Sequence, residues 1–177
     1  MQKKALLSSL ALIGFFASGC GVSVTTYVKP EAPWGVIRRV AVLPFTVSSE
    51  NPVQRELVTR LFCEELRREG RVEVVEVPLS SPVGSGVWDT REVGKQVQAD
   101  AVLIGSVDDT LGTVIHAQVL DVATKDLLWS GTYLLGTRAE FFSFKTQQQQ
   151  FQRGFRWLAR KFTAESRTTA PPPAEKP

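Results

Sequence analysis

The chain has 177 residues, 43% of them apolar and 22% charged, with a formal net charge of +3. That length suits one domain with tails. Loss of Lys3 and Lys4 with a cleaved leader lowers the charge to about +1, which leaves no basic field to attract nucleic acid.

Residues 1–19 read as a secretory leader. Lys3 and Lys4 are followed by an uncharged, mostly apolar run from Ala5 to Gly19, shorter than the roughly 20 residues that span a bilayer. Ala17, Ser18 and Gly19 precede Cys20, and this box resembles that of bacterial lipoproteins, in which the cysteine thiol receives a diacylglyceryl group and the freed amine is acylated. Cys20 is thus the expected lipidation site, and several acyl chains make a stable membrane anchor. Gly21, where an Asp would resemble an inner-membrane retention signal, points to the outer membrane, with the domain facing the periplasm.

Residues 20–36 mix small, polar and Pro residues and read as the lipidated terminus and a tether; the folded domain is expected over 37–163. Val40, Ala41, Val42 and Leu43 form a short apolar run suited to a strand covered on both faces, ended by Pro44. A helix follows, with Asn51 as N-cap, Pro52 in its first position and Gly70 past its end; Val58, Phe62 and Leu66 share a face, with Leu57 and Leu61 beside them and Cys63 on the flank. The Val-rich stretch 71–77 is a second strand. The loop from Pro78 to Trp88 breaks all periodicity; its apolar Leu79, Val83 and Val87 are candidate partner contacts, Trp88 is either a core plug or a fourth contact, and strand addition at the adjoining sheet edge is the second route to a partner.

Asp89 and Glu92 have capping-box spacing before a short helix carrying Val93 and Val97. Residues 100–107 form a third apolar strand, and two further strands at 112–122 and 126–135 complete an antiparallel meander. Phe151, Phe155, Leu158 and Phe162 then make one helical stripe, and residues 164–177 read as a disordered tail. The fold class is therefore α/β, in the order β-α-β-α-β-β-β-α, with a mixed sheet that is parallel in its first half and antiparallel at its end. Its expected core includes Val40, Val42, Leu43, Phe62, Leu66, Val74, Val102, Ile104, Leu120, Phe155 and Leu158.

The chemistry of a catalytic centre is hard to assemble from these residues. His116 is the only histidine and sits inside a strand, where one ordinary hydrogen bond is the expected role; Cys63 is the only cysteine besides Cys20 and reads as a buried thiol, or else as half of an intermolecular disulfide. No hydrolase or metalloprotease motif is present, and Asp108 and Asp109 suit a turn. No catalytic residue, metal ligand or cofactor is expected, and Gly105 with Ser106 makes no phosphate cradle. Residues 137–177 carry eight basic side chains against three acidic ones, a polarity suited to packing on the acidic body or to contact with an anionic partner.

Three stretches together, 37–45, 97–107 and 117–133, resemble a group of envelope lipoproteins that includes the curli-secretion lipoproteins, the penicillin-binding-protein activator lipoproteins and the N-terminal domain of the Tol translocation protein. Val42 to Phe45 match its Leu-Pro-Phe corner, Ala99 to Val107 its Ala-Asp strand closing on Gly-Ser, and Asp121, Thr124 and Trp129 its hairpin; Lys125 stands where the group has a turn glycine. The resemblance implies a lipid-anchored adaptor or activator that binds another envelope protein. A curli-type pore would need added strands of roughly 9 to 11 residues, which the Pro- and Gly-rich loop cannot supply. A small-molecule or glycan-binding lipoprotein is the competing class. Mass spectrometry of the membrane fraction should find an acylated Cys20 as the mature N-terminus; a free thiol at Cys20, or a chain beginning at Met1, would overturn the anchor.

Overall fold

The computed structural model describes residues 23–48, 52–78, 89–108, 113–135 and 144–168. Its elements run β1 (Ser23–Val28), β2 (Arg39–Val42), β3 (Thr46–Val47), α1 (Pro52–Glu69), β4 (Glu73–Glu76), α2 (Thr90–Gln96), β5 (Ala101–Asp108), β6 (Thr113–Asp121), β7 (Leu127–Leu135) and α3 (Phe144–Thr168). They build one seven-stranded sheet in the order β1-β7-β6-β5-β2-β4, with the two-residue β3 beside β5. β2 is parallel to both β4 and β5, whereas β5, β6, β7 and β1 are successively antiparallel. The mixed α/β sheet read from the sequence is the one observed, with one strand added at each of two places, β1 and β3.

Strand alternation sorts the core into two layers. Val40 and Val42 of β2, Leu103 of β5, Ile115, Ala117 and Val119 of β6 and Trp129 and Tyr133 of β7 meet the helices α1 and α3. The intervening Ala41, Leu43 and Val102 meet Val93 of α2 on the opposite face. Pro44 has no amide donor, so the β2 ladder ends with Leu43 donating to Leu103 O at 2.9 Å. The next amide, of Phe45, donates to Thr59 Oγ1 of α1 at 2.9 Å. The pairing with β5 is thereby interrupted at Pro44 and Phe45, before β3 resumes it, and the Phe45 ring is driven into the core between sheet and helices, 5.1 Å from the Phe62 ring and 5.7 Å from that of Phe155. A Cβ on Gly105 would stand 2.2 Å from the Phe45 ring, so a side chain there is excluded by packing.

The hairpin after β6 also follows its sequence. Asp121 Oδ1 accepts from the amides of Ala123 and Thr124, each at 2.8 Å, and Lys125 takes the left-handed conformation with φ of 65°. Lysine therefore holds the backbone position where the resembled group has glycine, and the hairpin is retained. At the end of α1, Gly70 has φ of 64°, the expected left-handed stop.

Three expectations are corrected. Residues 23–36 are not a tether: β1 pairs along its whole length with β7, and Ala32 and Trp34 are 2% and 1% exposed. Val24 and Val28 face the core at period two with Thr26 between them, and Trp34 packs edge-on against Phe162 at 5.8 Å. The domain does not end at 163 either, because α3 runs to Thr168 and Ser166 is fully buried, its carbonyl accepting from Arg71 Nη2 at 3.0 Å. Residues 169–177 lie outside the described residues. Finally, Val74, Ile104 and Leu120 are half-buried: Val74 and Ile104 pack against the core from outside it, and Leu120 lies on the face of β6 opposite Ile115, Ala117 and Val119. Trp34→Ala should cost about 3–5 kcal/mol of unfolding free energy in denaturant titration; a change within about 0.5 kcal/mol, as for a surface residue, would restore the tether.

Candidate functional site

The short helix α2 covers only part of the second sheet face, where Val93 packs on Ala41, Leu43 and Val102. Over β6, β7 and β1 no helix among the described residues covers that face. Alternation places Val114, His116 and Gln118 of β6, Ser130, Thr132 and Leu134 of β7, and Ser23, Thr25 and Tyr27 of β1 on it. The register aligns them in rows across the strands. One row is Ser106, His116, Thr132 and Thr25; the next is Ile104, Gln118, Ser130 and Tyr27. Tyr27 and Leu134 are 48% and 40% exposed. The result is a platform of hydroxyl, amide and imidazole groups with one aromatic ring and an aliphatic corner. Such a surface suits hydrogen bonding to a partner.

His116 is exposed on this platform, its Nδ1 2.8 Å from Thr132 Oγ1, which is the single ordinary hydrogen bond expected of it. Cys63 is wholly buried on α1, which excludes an intermolecular disulfide in the folded chain. Burial first, and then the Glu76 carboxylate, push its thiol up to about 12. Among the described residues, no three His, Cys, Asp or Glu side chains are grouped to hold a metal ion.

The two edges of the sheet differ. β4 is four residues long, and its Glu73 and Glu76 are paired with Arg39 at 3.4 Å and Arg67 at 3.8 Å. Charge on a short edge opposes the addition of another strand. β1 has six residues, Ser-Val-Thr-Thr-Tyr-Val, and no charge. The Lys29 amide donates to Leu128 O at 2.8 Å, so by alternation the backbone groups of Thr25 and Tyr27 face β7. Those of Val24, Thr26 and Val28 face away from the sheet. On the core side, Thr26 Oγ1 donates to Glu165 Oε1 at 2.9 Å while Trp129 Nε1 donates to Glu165 Oε2 at 2.9 Å. One carboxylate of α3 thus ties the edge strand and its neighbour into the core.

The predicted site residues Cys20, Leu79, Val83, Val87 and Trp88 lie outside the described residues. Their flanks are fixed: the Val77 amide donates to Val42 O at 3.0 Å at one end of the sheet, and Asp89 caps α2 by accepting from the Arg91 and Glu92 amides at 3.0 and 3.4 Å. These two amides, Arg91's first, hold the Asp89 carboxyl below the usual carboxylate range. The basic C-terminal segment is used in packing. Glu65 of α1, 4% exposed, accepts from Arg68 at 2.6 Å and from Arg156 of α3 at 3.2 Å, and Arg160 lies 3.5 Å from Glu69. The β1 edge and the platform beside it were missed by sequence reasoning. The period-two placement of Val24 and Val28 was the one available sign.

No protein-family model matches the chain, and no curated protein matches it in sequence. Its fold is similar to that of PelC from Paraburkholderia phytofirmans, solved as a dodecamer, with a TM-score of 0.59, 16% identity, and coverage of 86% of this chain and 100% of that one. A variant dodecamer of the same protein gives a TM-score of 0.56 at 17% identity, covering 78% of this chain and 99% of that one. TolB from Acinetobacter baumannii gives 0.46 at 15% identity over 86% of this chain and 32% of that one. What is shared at such identities is the fold.

The thiol and imidazole invite direct tests. At pH 8 a rise from 9.0 to about 12 lowers the thiolate fraction about a thousandfold. Cys63 should therefore resist a maleimide in the native chain and react once guanidinium unfolds it. His116→Ala should leave the melting temperature unchanged; fast native labelling, or a large loss of stability, would contradict the geometry.

Proposed function

We propose that this protein is a lipid-anchored, non-catalytic adaptor of the bacterial outer membrane, which captures another cell-envelope protein on the periplasmic side by adding a partner strand to the outer edge of β1. The observation that carries this reading is the uncharged six-residue edge, whose outward backbone groups lie at Val24, Thr26 and Val28. Main-chain hydrogen bonds at such an edge supply affinity, and side chains on the adjoining face supply selectivity. The leader and the box before Cys20 support the anchor. Leu79, Val83, Val87 and Trp88 remain part of the proposal as accessory contacts. PelC is solved as a dodecamer; pairing between copies of this chain would be the homotypic form of the same edge chemistry.

A second reading is glycan binding on the same platform. The rows of Ser, Thr and Gln beside the exposed Tyr27 favour it, because sugar hydroxyls and sugar faces are matched by such groups.

Two substitutions at one position separate edge capture from the rest. Thr26→Pro removes an outward-facing amide, while Thr26→Val keeps it; both lose the hydrogen bond to Glu165. Crosslinking capture from envelope extracts should fall about tenfold with Thr26→Pro relative to Thr26→Val, the equivalent of one backbone hydrogen bond. Equal capture by the two variants, with equal melting temperatures, would remove the β1 edge from the function. If Tyr27→Ala abolished glycan retention while protein capture stayed intact, the second reading would replace the first.

A further inference from the structure

We infer that the corner of the sheet made by the start of β1, the end of β7 and the start of β6 rests directly on the lipid headgroup surface. This rests on the acylation of Cys20 proposed above. Ser23 is already paired with Leu134 in the β1–β7 ladder, so only Gly21 and Val22 separate the ladder from the acylated residue. Three extended residues reach at most about 10 Å. A domain on so short a leash cannot turn another end toward the membrane.

The corner has the surface such a position requires. Ser23, Leu134 and Val114 form one row across it, and Leu134 is 40% exposed. Among the described residues, one acid closes that row, Asp108 of β5, paired with Val114. The opposite end of the sheet gathers charge. Lys29 lies 2.6 Å from Asp126 and Lys125 3.4 Å from Asp89, while Asp100 Oδ2 accepts from the Arg38 and Arg39 amides at 2.8 and 2.9 Å. Dehydrating that end against lipid would cost far more than dehydrating the corner.

Helix α3 adds an independent observation. Its Gly154 packs on Tyr133 and its Glu165 bonds Trp129, so it runs antiparallel to β7 and its N-terminus points toward the same end of the sheet as the Leu134 corner. Its first turn holds no acidic residue. The positive end of its dipole therefore faces the same way as the corner, toward anionic headgroups.

The test uses the full-length acylated protein reconstituted in phosphatidylethanolamine–phosphatidylglycerol vesicles. Leu134→Cys and Lys125→Cys are labelled separately with an environment-sensitive maleimide under native conditions, where Cys63 is buried. Headgroup-attached nitroxide lipid should quench the label at 134 several-fold more than the label at 125. Equal quenching, or stronger quenching at 125, would overturn the inference while leaving the anchor intact. Protein that fails to float with the vesicles would instead overturn the anchor, and the inference with it.

Discussion

The fold depends on where the Phe45 ring sits. Pro44 ends the β2 ladder and the Phe45 amide is taken over by Thr59, so the ring is delivered to the one point where β5, α1 and α3 meet. It lies against Phe62 and Phe155, which are themselves edge-on at 5.4 Å, and each such aromatic pair contributes about 0.5–1.5 kcal/mol beyond its burial. The seat exists because residue 105 has no side chain. The Leu-Pro-Phe corner and the Gly-Ser pair, sixty residues apart, are therefore the two halves of one contact. Glycine at 105 serves packing, and this explains why it sits mid-strand without any phosphate-binding loop.

Around that seat, ion pairs tie the helices together. Glu65 is almost wholly buried, a position that an ionised carboxylate holds only when paired. Arg68 from its own helix and Arg156 from α3 supply the pairing, so the basic bias of the C-terminal segment is largely internal to the fold. Burial without that compensation raises the Cys63 thiol, whereas the exposed Lys29 is raised by its hydrogen bond to Asp126. Both shifts have structural causes away from the open face.

The elements legible in the sequence were those whose partners are also apolar and periodic. Val40 to Leu43, Ala101 to Val107 and the stripe Phe151, Phe155, Leu158 and Phe162 each announce themselves through their own spacing, and together they specify the parallel core and its covering helix. β1 does not, because half of its side chains face water and its pairing is decided by β7, a hundred residues later. Trp34, flanked by Pro and Gly in a tether-like composition, is buried by contacts remote in sequence, Phe162 among them. The end of α3 was likewise hidden. Its last turn carries no large apolar residue, and Ser166 is buried by the contact of its carbonyl with Arg71. Lys125 shows the reverse case, a residue that left the turn type open until the Asp121 side chain and its own left-handed conformation define it.

The placement of β1 joins the two ends of the argument. An edge strand that frays is a poor template, since a partner must first order it. Here Glu165 holds Thr26 and Trp129 together from the core side while no strand among the described residues pairs with the outward amides, so the edge is presented already ordered. On the proposed anchoring, the same strand emerges from the lipid three residues after Cys20. Molecules tethered that way share one orientation relative to the membrane and meet in two dimensions, with much of the rotational freedom that association would otherwise remove already lost. A modest edge, worth little between molecules tumbling in solution, then suffices for capture at the membrane surface.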